Sequence, residues 1–319
     1  MGMTGIAGGV KLEAAVTAYS TLGAEVFANG GLSPLGGLIS RRVPVNGTSM
    51  EADSLGAIPA VEEIVGSRQW ANLRAYVNRV PVKKFGPKGL EFKIIDIEND
   101  PTGMISAKLA EYLRGNADWL EAPLWSFWVN NPTCLDTSSL FSTTHGFGAA
   151  GATWSNLITN ALSPGEFFTG ISAMSALVFE NNEPAGYYPD VLMFGPANEK
   201  MADDLTGSDR VVPIAATGLE AYASALAAAT KSNFISGRIK AVMNPRLIGT
   251  YDDYWYLLDT KREGARPVII GDAKPMTAVS VTSPESPAMI ERSCAQFYAE
   301  GWAGLMGGVP YSVYAGHKS

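Results

Sequence analysis

The sequence predicts a mixed α+β subunit. Three observations carry that reading: strand-like runs around residues 76–97, separate helical stretches near 102–129 and 163–181, and a β-rich tail from Val268 to Tyr314. Helices and strands do not alternate regularly enough for a doubly wound sheet.

Residues 1–60 read as an arm. Glu13 to Phe27 suits one amphipathic helix, with Ala15, Tyr19 and Leu22 near one face. Gly30, Gly31, Pro34, Gly36 and Gly37 then break regular structure. A segment this rich in Gly and Pro has no compact core of its own, so it is expected to lie along another surface. Ala60 to Arg74 suggests a short helix or turn anchored by Trp70.

Tyr76 to Val82 and Leu90 to Ile97 flank Phe85-Gly86-Pro87-Lys88-Gly89. Leu90, Phe92 and Ile94 alternate with Glu91 and Lys93, the period of two of a strand. The expectation is a long β-hairpin with a Gly/Pro tip. An isolated hairpin is marginal in water, so a neighbouring copy is expected to cover its apolar face. Phe85, Leu90, Phe92 and Ile94, with Lys83, Lys84 and Lys88 at the tip, are the candidate inter-subunit contacts. The plainer reading of the three lysines is a solvated tip.

Asp96, Glu98 and Asp100 suit a helix start, where free N–H groups favour negative charge. The helix predicted from Thr102 to Val129 carries Ile105, Leu109 and Leu113 on one face and is interrupted at Pro123. Leu124, Trp125, Phe127 and Trp128 beyond it imply burial. After a Gly/Ser/Thr-rich stretch, Ser163 caps a helix with Pro164 at its first position. Val191 to Phe194 is a buried strand and Asn198 to Leu205 a helix; Tyr222 to Thr230 is Ala-rich and helical. Ile239 to Met243 and Tyr254 to Leu258 are strands around the Asn244-Pro245-Arg246 turn.

Composition narrows the function. Of 319 residues 46% are apolar, so the chain folds. Only 17% are charged, against roughly 25% in an average soluble domain. A subunit that buries surface against copies of itself needs fewer charges. The net charge of −7 argues against gripping nucleic acid through phosphates. No apolar run approaches the ~18 residues that span a bilayer, and the N-terminus lacks a secretory pattern. Cys134 and Cys294 stand in no metal or redox spacing and read as buried, reduced thiols.

Chemical motifs are weak. Gly146 to Gly151 matches GxGxxG, but neither a strand before it nor a helix after it aims N–H groups at a phosphate. His145 and His317 are the two histidines, without HExxH or similar spacing. Ser142 and His145 form the remote hydrolase candidate, without a nucleophile elbow. Asp96, Glu98, Asp100 and Gly103 fail as a calcium loop because Ala107 stands where a bidentate Glu is needed. Asp252 and Asp253 fit a turn better than a carboxylate pair. No catalytic residue, cofactor or metal is expected.

The order of elements resembles that of tailed-phage major capsid proteins of the Hong Kong 97-type fold, and more narrowly the Mu-like prophage major head subunit. The stretches that carry the likeness are Trp70-Ala71-Asn72-Leu73, the run from Asp96 to Met104, the run from Leu140 to Gly146, the run from Val242 to Leu247, and Trp255-Tyr256-Leu257-Leu258. The chain departs from the family's pattern at Thr144, where Asp often precedes the histidine.

This resemblance implies an N-terminal arm (1–60), a peripheral domain (61–72, 102–162 and 259–319), an extended hairpin loop (73–101) and an axial domain (163–258). It also implies a non-enzymatic shell protein, self-assembled into pentamers and hexamers of an icosahedral head in the bacterial cytoplasm. A separate scaffold protein and a portal are the expected partners, with double-stranded DNA enclosed without sequence-specific binding and no membrane. A tail or decoration protein is the alternative.

Overall fold

The computed structural model describes residues 6–55, 75–146, 153–179, 183–207 and 235–316. The expectations for 60–74, for the Gly-rich loop at 147–151, for the helix at 222–230 and for His317 lie outside these residues.

The chain opens with α1 (Ile6–Val26). Ser33 then caps α2 (Pro34–Ile39) by accepting the Gly36 N–H, with Pro34 at the first helical position. Strands β1 (Ser40–Pro44), β2 (Ser49–Leu55), β3 (Ala75–Pro81), β4 (Lys83–Phe85) and β5 (Leu90–Lys93) follow. Helices α3 (Ile94–Glu98), α4 (Met104–Gly115) and α5 (Glu121–Val129) come next. After β6 (Leu157–Ile158) the chain forms α6 (Pro164–Ser175), β7 (Val191–Phe194), α7 (Glu199–Thr206), β8 (Lys240–Met243) and β9 (Trp255–Leu258). It ends in β10 (Val268–Val281), α8 (Pro287–Arg292), β11 (Cys294–Gly307) and β12 (Val313–Gly316).

One sheet has the order β1-β10-β11-β4, with β5 also on β11. A second has the order β6-β12-β9-β7-β8. The third is a two-stranded ribbon of β2 and β3. The tail expected as short β-runs is thus built on two 14-residue strands, β10 and β11. β12 leaves them to pair with β9, so the C-terminal strand assigned to the peripheral domain shares a sheet with the axial strands.

Buried aromatic and aliphatic side chains weld these layers. Trp128 lies edge-on to Phe141 at 4.9 Å and to Tyr256 at 5.2 Å, which joins α5 to β9. Phe167, Ile171 and Met174 of α6 pack on Leu192, Trp255 and Leu257 of the second sheet. Tyr19 and Phe27 join Leu109 and Leu113 of α4 against Phe297 and Ala299 of β11.

Four expectations are corrected. First, the described part of the arm rests on its own chain: Tyr19 is buried against α4 and β11, and β1 pairs in parallel with β10 from Ser40↔Val268 to Pro44↔Asp272. Second, the long helix breaks at Asn116–Leu120 and not at Pro123. Pro123 falls in the first turn of α5, where its missing N–H costs nothing. Third, only Leu90–Lys93 of the second expected strand is extended; Ile94 to Glu98 is helical.

The fourth correction concerns the hairpin. The first run does form a strand, β3, but its partner is β2, in register from Ser49↔Pro81 to Leu55↔Ala75. β4 and β5 both run antiparallel to β11 in their own chain, with Phe85↔Gly301 and Leu90↔Phe297 in register. They form one interrupted edge strand, and the Gly86–Gly89 segment is its bulge, not a tip. Gly86 is needed for a close approach: a Cβ there would meet the Ala299 carbonyl oxygen at 2.4 Å.

Candidate assembly surfaces and the buried polar cluster

The expected contact residues divide by side. Phe85 turns inward and packs on Trp119 at 5.9 Å between ring centres. Leu90 and Phe92 are half-buried against the β10–β11 core, with Phe92 6.3 Å from Phe297. Ile94 is half-buried, so the apolar set is covered by its own chain and is not a bare ribbon. Lys84 pairs with Glu300, and Lys274 reaches the same carboxylate at 3.3 Å. The hydrogen bond from Lys84 holds the Glu300 carboxyl below its usual range. Lys83 and Lys88 are exposed and make no ion pair among the described residues.

The open features lie elsewhere. At the base of the β2–β3 ribbon, Met50 is buried against Leu135, Ile269 and Met306. Arg79 reaches Glu51 at 3.1 Å and the Ser49 hydroxyl at 3.0 Å. A groove of about 470 Å³ runs between the ribbon base (Val80), the edge strand (Lys83, Phe85), α5 (Phe127) and β11 (Leu305). Ile95 and Met104, on consecutive helices, are 60% and 64% exposed. Ile248, after the Asn244 turn, and Ile290, on α8, are equally open. Single exposed apolar residues are ordinary, but several of them on short projecting segments suit contacts between subunits.

Asp100 behaves as the expected helix start. Its carboxylate accepts the Ile105 N–H at 2.8 Å and the Thr102 N–H at 3.2 Å. The bond from Ile105 draws its pKa down. Asp252 and Asp253 lie in a turn, as expected.

His145, expected as a loop histidine, is fully buried. Its Nδ1 lies 2.7 Å from Asp136 Oδ2 and its Nε2 3.0 Å from Asn156 Oδ1. Trp154 stacks on the ring at 4.5 Å. Asn156 donates its amide to the carbonyls of Leu140 and Pro310 at 2.8 and 3.3 Å. Asp136 Oδ1 accepts from the Cys134 thiol at 2.6 Å and the Ser138 N–H at 3.0 Å. Burial works to raise the Asp136 carboxyl, but bonds from His145 and Cys134 outweigh it and hold it low. Burial, reinforced by Asp136, pushes the Cys134 thiol up. Both ring nitrogens of His145 face Asp136 and Asn156, so Ser142, whose Oγ accepts the Thr144 N–H at 3.1 Å, has no base there. Reading for HExxH and paired-Cys spacings passed over this cluster. The available signal was Asp136 between Cys134 and His145.

A family model for the Mu-like prophage major head subunit gpT matches residues 27–169. Solved phage structures share the fold. The procapsid of bacteriophage JBD30 is 14% identical with a TM-score of 0.54, covering 97% of this chain and 75% of that one. The Microbacterium phage Oxtober96 structure is 12% identical with a TM-score of 0.54, covering 90% and 91%. The chain has the fold of a phage major capsid protein. The PhiM1 mature capsid agrees at 9% identity and a TM-score of 0.52, covering 88% of this chain and 85% of that one. The family model agrees with the Mu-like major head subunit resemblance over residues 27–169, and the solved phage structures agree with the expected capsid fold. The chain spans 62% of the length of the chain in the decorated JBD30 capsid. No curated protein matches it.

Proposed function

We propose that this major head subunit closes with copies of itself into pentamers and hexamers of an icosahedral shell around double-stranded DNA. The observation that carries this reading is the β2–β3 ribbon. Among the described residues its two strands pair only with each other, and two strands alone are marginal in water. A neighbouring subunit supplies the missing cover. Lys83 and Lys88, exposed beside the ribbon base, are the lysines for this contact; Phe85, Leu90 and Phe92 pack on the subunit's own core, and Ile94 is half-buried.

The division into parts follows the same logic. The β1-β10-β11 sheet with α4 and α5 forms the peripheral domain. The β9-β7-β8 sheet with α6 and α7 forms the axial domain, into which β12 returns. The extended loop includes the ribbon of Ser49–Leu55 and Ala75–Pro81, one element earlier than the sequence suggested. Assembly takes place in the bacterial cytoplasm with a separate scaffold protein and a portal. The net charge of −7 keeps the inner wall from gripping the packaged DNA. Modest contacts suffice, because each subunit engages several neighbours at once once a ring closes.

Replacing residues 52–78 by a short turn tests this. The variant should fold as a soluble subunit, with circular dichroism like the parent's, yet yield no closed shells in negative-stain images. Normal shells from it would remove the ribbon from the assembly.

A further inference from the structure

We propose that Cys134, Asp136 and His145 form a structural divalent-metal site, suited to zinc, that clamps the Cys134–Asp136 turn to His145 within the 131–146 loop. The donor atoms of these three side chains lie within 4.8 Å of one another. The imidazole and carboxylate are 0% and 2% exposed, and the sulfur residue is 1% exposed. Sulfur, nitrogen and oxygen donors together are the set that zinc takes, whereas calcium and magnesium avoid sulfur.

The arrangement is that of a clamp. Cys134 Sγ flanks one oxygen of Asp136 at 2.6 Å, and His145 Nδ1 flanks the other at 2.7 Å. A bidentate Asp136, one thiolate and one imidazole nitrogen thus offer four donors around one position. The outer shell is already built. Asn156 turns its oxygen to His145 Nε2 because its amide is committed to the carbonyls of Leu140 and Pro310. That fixes the proton on Nε2 and leaves Nδ1 as the ligand nitrogen, the pattern of metal-bound histidines. The Ser138 N–H orients the carboxylate.

Two further features favour an ion over hydrogen bonds alone. A thiol is a weak donor and a poor match for a buried carboxylate. The turn that presents Asp136 also holds Thr137 at φ +69°, an unfavourable conformation for a β-branched residue that tends to occur where geometry serves a site. Binding is balanced by release of the thiol proton and of the proton in the Nδ1···Oδ2 bond, one divalent cation entering as two protons leave.

The full chain, expressed with zinc and dialysed, should retain about one zinc per chain by elemental analysis. Cobalt(II) alone should give intense tetrahedral d–d bands and a thiolate-to-cobalt charge-transfer band. Cys134→Ser keeps a hydroxyl for Asp136; it should abolish the charge-transfer band and cut retained zinc by about tenfold or more. Cys294→Ser should change neither. Clearly substoichiometric zinc in the wild type, a cobalt spectrum without the thiolate band, or a band that survives in Cys134→Ser would overturn the site and leave a hydrogen-bonded cluster only. The wild-type measurements decide the matter even if the serine variant does not fold.

Discussion

Leu90 lies in register with Phe297 across the β5–β11 ladder of a single chain. This pairing takes the residues that looked most exposed in the sequence and makes them part of the subunit's own edge. Phe297 is fully buried between Tyr19, at 5.2 Å, and Phe92, at 6.3 Å, so α1, β5 and β11 meet on one ring. Phe297→Ala should cost the isolated subunit about 3–5 kcal/mol, read as a lower urea midpoint at unchanged slope. A loss under 1 kcal/mol would mean that the N-terminal helix does not depend on this contact.

Gly86 marks where the same edge strand crosses the Ala299 carbonyl. The 2.4 Å approach of a Cβ there is against backbone, which cannot give way as a flexible side chain would. Gly86→Ala should destabilise the subunit by about 1–3 kcal/mol, whereas Gly47→Ala, with open space but φ +137°, tests backbone strain alone. Equal and negligible effects in thermal denaturation would argue that the edge strand is not seated on β11.

Glu121 is a buried carboxylate that ties the N-terminal segment to α5. It accepts the Ser33 N–H at 2.7 Å, the Ser33 hydroxyl at 2.5 Å and the Trp125 indole N–H at 2.5 Å. Glu121→Ala leaves buried donors without an acceptor and should cost about 1–3 kcal/mol for each. Faster limited proteolysis before β1 should accompany the loss. Unchanged proteolysis would show that Ser33 is held by other means.

Stability should fall on the acid side. The carboxyls of Asp100, Glu91 and Glu300 all sit below their usual range, held by the Ile105 N–H, by Gln296 and by Lys84 respectively. A depressed carboxyl contributes stability above its unfolded value, about 4, and loses it as the pH falls through the folded value. Glu91 is exposed and Asp100 and Glu300 are part-exposed, so each effect is modest and salt-sensitive. Asp100→Asn should flatten the dependence of the urea midpoint between about pH 5 and pH 3; a steeper acid limb would contradict the assigned sign.

Much of the secondary structure was legible because its signals are local. Ser163 followed by Pro164 marks a helix start wherever it occurs, and the Ser163 hydroxyl does accept the Glu166 N–H. Val191 to Phe194 and Trp255 to Leu258 are apolar throughout and lie buried on both faces. The buried block of Trp125 and Trp128 was equally plain. Pro123 misled because the same residue breaks a helix interior and starts a helix, and only the neighbouring turns distinguish the two.

Local patterns along the chain were enough for the class, the helix starts, the buried strands and, through the order of the motifs, the capsid likeness. Pairing was decided only in three dimensions. Alternation along Leu90, Phe92 and Ile94 states that one face must be covered, but not by what; the cover came from β11, some two hundred positions away, and the free ribbon fell to β2 and β3. The meeting of Cys134, Asp136, His145 and Asn156 was likewise decided in three dimensions, with only Asp136 between Cys134 and His145 as a hint in the sequence. Side chains converge there because a turn and two bridges fold back on one another, and spacing along a chain carries no record of such a return.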